Sequence, residues 1–469
     1  MSSMIAPENI TAESIAAQQS HDTAPAPEPR KSRNYYSFYV FFVLFAATLL
    51  YNLDSNEFTS AAPVIARELH LSISTIGLLT SAFTIFLTIS IIPVGLWADR
   101  ARRAHIIGAC LAVWSLATTL TALAGSFLGL TATRIFIGIG EAGYTPAGNS
   151  LISDTFRKEQ VPKLLSWLAL ATLVGSVLGM VLGGVFAGLG HGTWRWAFIA
   201  TGIPGLILAA CAWYMREPAR QQSSKAAQAA QTSAISKEPF KLFTRLRSVL
   251  RSKVFIALLF YGMLTEFTAT ALQAYFPTLL QQKDALGMSS SQAALYAGVT
   301  VGPTALIGIL VGGYLSSWLR RRYREGNLLV CVISVIFTAP LNVTTLIVMM
   351  TTHNLALSTV FLIPSFFFNI LHIGPLSAAV LDIAPEDQRA STVALFLFIV
   401  RILGTATAPL VIGMLASSFD PRGLHFLQSM AGHDLITALL ITCPVAFIVA
   451  SCAGIYGLRL MRSGRELIA

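Results

Sequence analysis

Gly95-Leu-Trp-Ala-Asp99-Arg100-Ala-Arg102-Arg103 and Gly313-Tyr-Leu-Ser-Ser317-Trp-Leu-Arg320-Arg321-Arg322 are two copies of one pattern, about half a chain apart. Each copy follows the second long apolar run of its half. In each, a glycine on a helix face permits close approach of a neighbour, and the arginines behind it pin the turn. Repetition of such a unit predicts a duplicated helical membrane protein, an arrangement that commonly serves transport.

Composition agrees. The 469 residues are 54% hydrophobic and only 12% charged; a soluble chain of this size carries about twice that charged fraction. The apolar residues fall in runs of roughly 20, the length that crosses a bilayer core. Twelve such spans are read at 36–66, 72–97, 104–124, 128–153, 162–188, 197–215, 253–280, 292–318, 327–350, 355–383, 391–418 and 434–460. The predicted fold class is an all-α polytopic membrane protein, with twelve transmembrane helices in two pseudo-symmetric six-helix bundles. Alternating strand patterns are too few for a β-barrel. Before the first span no separate leader core is seen, so that span is expected to be retained.

The net charge of +10 has a pattern. Arg30, Lys31 and Arg33 precede the first span, Arg100, Arg102 and Arg103 follow the second, and Arg320, Arg321, Arg322 and Arg324 follow the eighth. Arg157, Lys158 and Lys163 lie between spans four and five, a basic stretch joins six to seven, and Arg459, Arg462 and Arg465 end the chain. The intervening loops carry few cations. By the positive-inside rule both termini are cytoplasmic in a multi-pass protein of the plasma membrane, in a bacterium the inner one. The basic loops are expected to face anionic headgroups, with nucleic acid excluded as a partner. Cys110, Cys211, Cys331, Cys443 and Cys452 all lie in apolar spans without metal spacing, so neither a metal nor a cofactor is expected.

This divides the chain into a disordered cytoplasmic tail (1–34), a six-helix bundle (35–216), a cytoplasmic linker (217–252), a second bundle (253–460) and a short cytoplasmic tail (461–469). The linker opens on Gln221-Gln-Ser-Ser-Lys-Ala-Ala-Gln and closes on an amphipathic segment at 240–250. In the fifth span, Gly175, Gly179 and Gly183 recur at a spacing of four, on one helix face. Prolines inside the spans, among them Pro63, Pro93, Pro277, Pro303 and Pro409, predict kinked helices.

Several spaced motifs give these runs a family likeness. Gly95-x-x-x-Asp99-Arg100 with Arg103, Arg134-x-x-x-Gly138-x-Gly140-Glu141-Ala142, the fifth-span glycines, Trp194-Arg-Trp-Ala-Phe198, Arg216-Glu-Pro218 and Pro385-Glu-Asp-Gln-Arg389 occur in order. The chain resembles the major facilitator superfamily and, within it, the Spinster-like transporters, whose fourth span resembles Glu141-Ala-Gly-Tyr144. The anion:cation symporters of the same superfamily share much of this pattern. Three positions depart from it: Arg102 sits where glycine is common in the loop motif, Met180 stands where the fifth-span motif usually has proline, and Ser55 follows Asp54 where Spinster-like chains usually have arginine. The resemblance implies a carrier in which a first-span aspartate and a fourth-span glutamate, here Asp54 and Glu141, serve proton-dependent transport; a monomer is expected.

Ionisable groups inside a span cost roughly 2.5–3.5 kcal/mol each on insertion scales and therefore mark function. Asn52, Asp54 and Glu57 lie in the first span, and the latter two share a helix face. In the fourth, Arg134 and Glu141 are seven residues apart, about two turns on nearly one face. Asp54, Glu57, Arg134 and Glu141 are the expected proton-coupling network. In the second half, Glu266, Asn369, His372 and Arg401 are intramembrane. With Asn52, Arg134 and Tyr144 they form the expected substrate-binding set. Arg401 cannot discharge, so it needs a carboxylate, a carbonyl or an anionic ligand; Glu266 is its expected resting partner. Gly95, Asp99, Arg100 and Arg103 are assigned to gating, with Ser317 replacing the acid in the second copy and leaving that lock one-sided.

The expected function is secondary active, proton-coupled transport by alternating access. The cargo is an amphipathic or organic anion such as a lysolipid or sphingoid lipid, or alternatively a small organic acid taken up by proton symport. The sequence holds no HExxH, no GxSxG and no phosphate-cradling glycine loop, which argues against an enzyme, and its duplication argues against a simple receptor.

Overall fold

In the computed structural model the described residues are 32–157, 159–215, 249–283, 285–384, 389–419 and 434–463. Side chains at 32–35, 99, 100, 162 and 390 are not among them. The expectations for tail residues 1–31 and 464–469, for linker residues 216–248 with most of the amphipathic segment, for 385–388, and for the Asp99 and Arg100 side chains lie outside the described residues.

Lipid offers no partner for a bare amide, so each crossing must close its hydrogen bonds within itself. All regular structure among the described residues is accordingly helical. In the first half these are α1 (Ser32–Glu68), α2 (Ile73–Arg100), α3 (Arg103–Thr121), α4 (Phe127–Glu141), α5 (Tyr144–Thr155), α6 (Val161–Gly188) and α7 (Trp194–Trp213). The second half has α8 (Lys253–Gln281), α9 (Ser290–Arg320), α10 (Gly326–Thr352), α11 (Leu355–Leu371) and α12 (Ile373–Ile383). It continues with α13 (Arg389–Val400), a π-helical turn (Arg401–Thr405), α14 (Thr407–Phe419) and α15 (Asp434–Ser463).

Among the described residues, eleven helical segments are long and apolar enough to cross a membrane. The twelfth crossing is α4 followed by α5, each too short alone, broken at Ala142-Gly143 directly after Glu141. Its counterpart in the second half, α11 followed by α12, breaks at His372. Twelve crossings therefore stand, as the periodicity predicts.

The first bundle is drawn together by glycines. A Cβ on Gly175, Gly179 or Gly183 would collide in turn with the carbonyl oxygens of Leu49, Leu53 and Glu57. Thus α6 lies against α1 backbone to backbone, in step every four residues. This seam holds the Asp54–Glu57 turn of α1. Glu68, at the end of α1, accepts from Gly192 N (2.8 Å) and from Trp194 Nε1 (2.7 Å). The guanidinium of Arg195 stacks 4.3 Å over the Trp194 ring. The Trp194–Phe198 motif is thereby spent on closing the α6–α7 corner.

The molecule has a basic end, carrying the α2–α3 and α9–α10 turns, and an opposite end. At the opposite end the halves lie in close contact along two seams. Where α2 meets α14, a Cβ on Gly77 would collide with Pro409 O, Tyr275 donates to Pro409 O (2.6 Å), and Ser74 N donates to Ser417 Oγ (3.2 Å). Where α6 meets α9, Gly184 abuts Ala294 and Gly188 abuts Ser291. Towards the basic end α5, α12 and α13 pack within their own halves, whereas the π turn and α14 pack on α2.

The close approach expected at Gly95 and Gly313 is not made in this conformation. A Cβ on either glycine would have nothing within 4 Å. In this conformation the tight crossings between the halves lie at the opposite end, at Gly77, Gly184 and Gly188. The arginines of the signatures do pin their turns. Arg103 pairs with Asp154 at the end of α5 and donates to Ser150 O (3.3 Å). Arg320 pairs with Asp382 at the end of α12 (2.6 Å), whose other oxygen accepts from Asn327 Nδ2 (2.6 Å). Glu325 ties the α9–α10 turn to α15 through Arg462 Nε (2.5 Å), and that hydrogen bond holds its carboxyl below the usual carboxylate range.

Candidate substrate and coupling site

Burial gathers the first-half network. Asp54, Glu57, Arg134 and Glu141 are 2%, 0%, 2% and 2% exposed. Asp54 and Glu57 sit on the α1 turn that α6 grips. Arg134 and Glu141 lie on α4, where Gly138 and Gly140 let that helix press onto the backbones of α2 and α3. Thr118 Oγ1 of α3 donates to Asp54 Oδ2 (3.0 Å). The Arg134 guanidinium carbon stands 3.9 Å over the Phe58 ring. Its charge acts on Asp54 first, then on Glu141 and Glu57.

No direct salt bridge fixes Arg134 to any of the three carboxyl groups. Both oxygens of Glu141, and Nε and Nη2 of Arg134, have no hydrogen-bond partner among the described residues, and Glu57 has only the Thr201 hydroxyl of α7 beside it. The four groups are thus assembled within one another's field without being locked pairwise. Buried ion pairs held for architecture alone normally satisfy their hydrogen bonds.

Tyr144 begins α5 just past the break after Glu141. Its hydroxyl donates to Leu44 O (2.6 Å) and lies 2.7 Å from Thr48 Oγ1. This ties the broken crossing to α1 and leaves the phenol committed. Asn52 is spent similarly, donating to Thr48 O (2.8 Å) and to Thr172 Oγ1 of α6 (3.3 Å).

In the second half, Arg401 opens the π turn, with Ala406 N bonding back to its carbonyl (2.8 Å). Such a turn widens the helix locally and is frequent at functional sites. The Arg401 residue is exposed. Its charge reaches Glu266 of its own half, without a direct salt bridge, and also Tyr51 of the first half. Asn369 and His372 are instead buried in the second bundle. The His372 ring lies edge-on to Tyr261 (5.8 Å). Asn369 borders a cavity of about 20 Å³ with Asn342, Phe276 and Phe366. That is space for about one water, and Phe368 packs against Phe337 (4.9 Å) and Phe367 (5.2 Å).

Two contributors escaped the sequence reading. Thr118 carried no signal beyond being a hydroxyl in an apolar span. Tyr51 did carry one, since it precedes Asp54 by three residues and so shares its face. The Tyr51 ring closes a cluster with Trp114 (6.2 Å) and Tyr144 (6.3 Å). Its phenol lies within the fields of both Glu141 and Arg401. Removing that hydroxyl by Tyr51→Phe keeps the ring cluster, so the expected result is unchanged thermal stability with a several-fold loss of affinity for an anionic substrate. Equal affinity in both proteins would exclude Tyr51 from the site.

Comparison with known proteins agrees with this geometry. The family model described as Major Facilitator Superfamily matches residues 40–409. The "MFS-type efflux pump" of Mycolicibacterium smegmatis is 27% identical over 415 residues, covering 87% of this chain and 89% of that protein. "Protein spinster" of Drosophila melanogaster is 25% identical over 399 residues, 83% of this chain, and the match spans 63% of the fly protein. Among solved structures, a bacterial homologue to the human lysosomal transporter Spinster, in an inward-facing and unoccupied conformation, superposes with a TM-score of 0.78. At 23% identity it covers 94% of this chain and 99% of the other, which speaks to the fold. The two helical bundles, the ordered motifs and the matched family model together place this chain in the major facilitator superfamily, as a Spinster-like membrane transporter.

Proposed function

We propose that the protein is a proton-coupled carrier of an amphipathic organic anion, working by alternating access. The moving bodies are the bundles 35–216 and 253–460, and both termini lie in the cytoplasm. With the basic end cytoplasmic, the arrangement described is open inward and closed outward.

The observation that carries this reading is the burial of Asp54, Glu57, Arg134 and Glu141 together in the first half, with Arg401 exposed at a π turn of the second. Arg401 is a permanent cation at a widened helix turn. The buried cluster holds one guanidinium and three carboxyl groups, carrying a net charge of −2 when all are ionised. Sustaining that charge in an apolar bundle is costly. Protons are the available counter-charge, and access to either side of the membrane decides where they are exchanged. An anion bound at Arg401 and a proton held near Glu141 then favour the same rearrangement. The amphipathic cargo is what the Spinster resemblance of the sequence implies, and the match to protein spinster runs over 83% of the chain.

Uptake into liposomes tests the cargo. A radiolabelled lysolipid is expected to enter, faster with a proton gradient than without one, and a hexuronate is not. Uptake of the hexuronate alone would replace the amphipathic anion with a small organic acid. Arg401→Gln is expected to weaken anion binding by about 10- to 150-fold, the worth of a charge-assisted hydrogen bond of roughly 1.5–3 kcal/mol. Equilibrium binding that survives this change would remove Arg401 from recognition.

A further inference from the structure

The half of α8 nearer the opposite end carries a polar strip that the coupling network leaves unused. Glu266, Thr270 and Gln273 follow one another at spacings of four and three, so they lie along one side of the helix. Glu266 and Thr270 are half-buried and Gln273 is exposed. Neither Thr270 nor Gln273 makes a side-chain hydrogen bond among the described residues. Other polar residues of α8 are spent on their own helix: Thr265 donates to Tyr261 O (2.9 Å), Thr268 to Thr265 O (2.9 Å) and Gln281 to Pro277 O (3.1 Å). Pro277 has no N–H to offer the carbonyl of Gln273, four residues before it. Gln273 therefore presents a free side-chain amide together with a carbonyl that lacks its helical donor.

A bare amide at bilayer depth is costly against lipid and belongs to a water-filled passage. The lipid side of α8 is marked by its exposed apolar residues Ile256 and Phe260. Gln273 lies about 140° around the helix from Phe260, and Glu266 about 120°. The strip is thus turned away from lipid. On its side the π turn packs on α8, and the charge of Arg401 acts on Glu266. Gln273 lies about 10 Å beyond Glu266 along the helix, at 1.5 Å per residue. Two residues further on, Tyr275 donates to Pro409 O in the seam between the halves. Gln273 accordingly stands just short of the closed end, with Glu266 and Arg401 below it.

We propose that Gln273 and Thr270 read hydroxyl groups on the cargo, in a part of its headgroup that extends past the anionic centre held at Arg401. This rests on the amphipathic-anion reading and narrows it to anions with a hydroxylated headgroup. A hydroxyl both donates and accepts. It is matched by Gln273 Nε2, which donates, by Gln273 Oε1 and the bare carbonyl, which accept, and by Thr270 Oγ1, which does either. A headgroup that ends at its phosphate leaves these groups to water.

Equilibrium binding to the purified full-length protein tests the assignment. The probes are lysophosphatidylglycerol, whose phosphate carries a further glycerol, and lysophosphatidic acid of the same acyl chain, whose phosphate is terminal. Lysophosphatidylglycerol is expected to bind about 2- to 12-fold more tightly, the worth of one net hydrogen bond. Gln273→Leu is expected to bring it down to the affinity of lysophosphatidic acid. Thr270→Val, which keeps the shape of the side chain, is expected to narrow the gap in the same direction. Thermal unfolding confirms that each variant is folded before it is read. Equal affinities in the unmodified protein overturn the proposal and leave the amphipathic reading standing. A preference that survives both substitutions overturns it as well, because the hydroxyls would then be read elsewhere. Binding of neither lysolipid would instead overturn the amphipathic reading, and this inference with it.

Discussion

Glu141→Gln is expected to cut proton-driven accumulation sharply while leaving substrate exchange intact. Glutamine keeps the shape of the side chain at the end of α4 but cannot load or release a proton. Exchange of substrate for substrate needs no net proton movement, so it survives. Net accumulation against a gradient is expected to fall about 5- to 150-fold, the span of a typical coupling free energy between two sites. The remaining flux becomes flat with external pH. Asp54→Asn, whose partner Thr118 lies 3.0 Å away, is expected to act in the same direction. Because both residues lie in the field of Arg134, the double variant should cost less than the two losses combined. The readout is liposome flux across a series of external pH values. A Glu141→Gln protein with the original rate and pH profile would exclude the network from coupling.

The second large effect concerns glycines that sit alike in the sequence and differ in what they touch. A Cβ on Gly77 meets Pro409 and Tyr275, both of the other half; a Cβ on Gly179 meets Leu53 of the same half. Gly77→Leu is therefore expected to leave each bundle folded and to drive the opposite end apart. Overpacking of about 1–3 kcal/mol shifts the population between end-closed and end-open forms by roughly 5- to 150-fold. Gly179→Leu should instead loosen α1 from α6, lower the thermal midpoint and disorder the Asp54–Glu57 turn. Spin labels at His70→Cys and His353→Cys, exposed at the opposite end of the two halves, report the first effect once Cys452, the exposed native thiol, is replaced by serine. A longer label separation in Gly77→Leu is expected, with no change in thermal midpoint. An unchanged separation in a folded protein would show that this seam does not hold the opposite end closed.

Much of the site was legible because charge in lipid is rare enough to read directly. Asp54, Glu57, Arg134 and Glu141 stood out as the ionisable residues of two apolar spans, and folding does bury all four together. Arg401 stood out for the same reason. Asn369 and His372 looked equivalent to it on paper, yet they face the interior of their own bundle, because a polar residue on a span reveals its depth but not its azimuth. Tyr144 and Asn52 carried the right chemistry and are held by α1 and α6. The broken crossing at Ala142-Gly143 and the π turn at Arg401 left no periodic trace, since a change of one hydrogen-bond step does not alter hydropathy.

The sequence alone determined that the chain crosses the membrane twelve times in two related sixes, because apolar length and the spacing of arginines are local properties that the bilayer reads one segment at a time. It also determined which four-spaced glycines would bring α6 against a neighbour. Only the tertiary structure decided which end brings the halves together, and that the signature glycines Gly95 and Gly313 stand apart while Gly77 and Gly184 bear the seams. Those facts depend on how two rigid bundles lean on each other. The same sequence must support more than one such lean if it is to carry a substrate across, so no single stretch of it encodes the one seen.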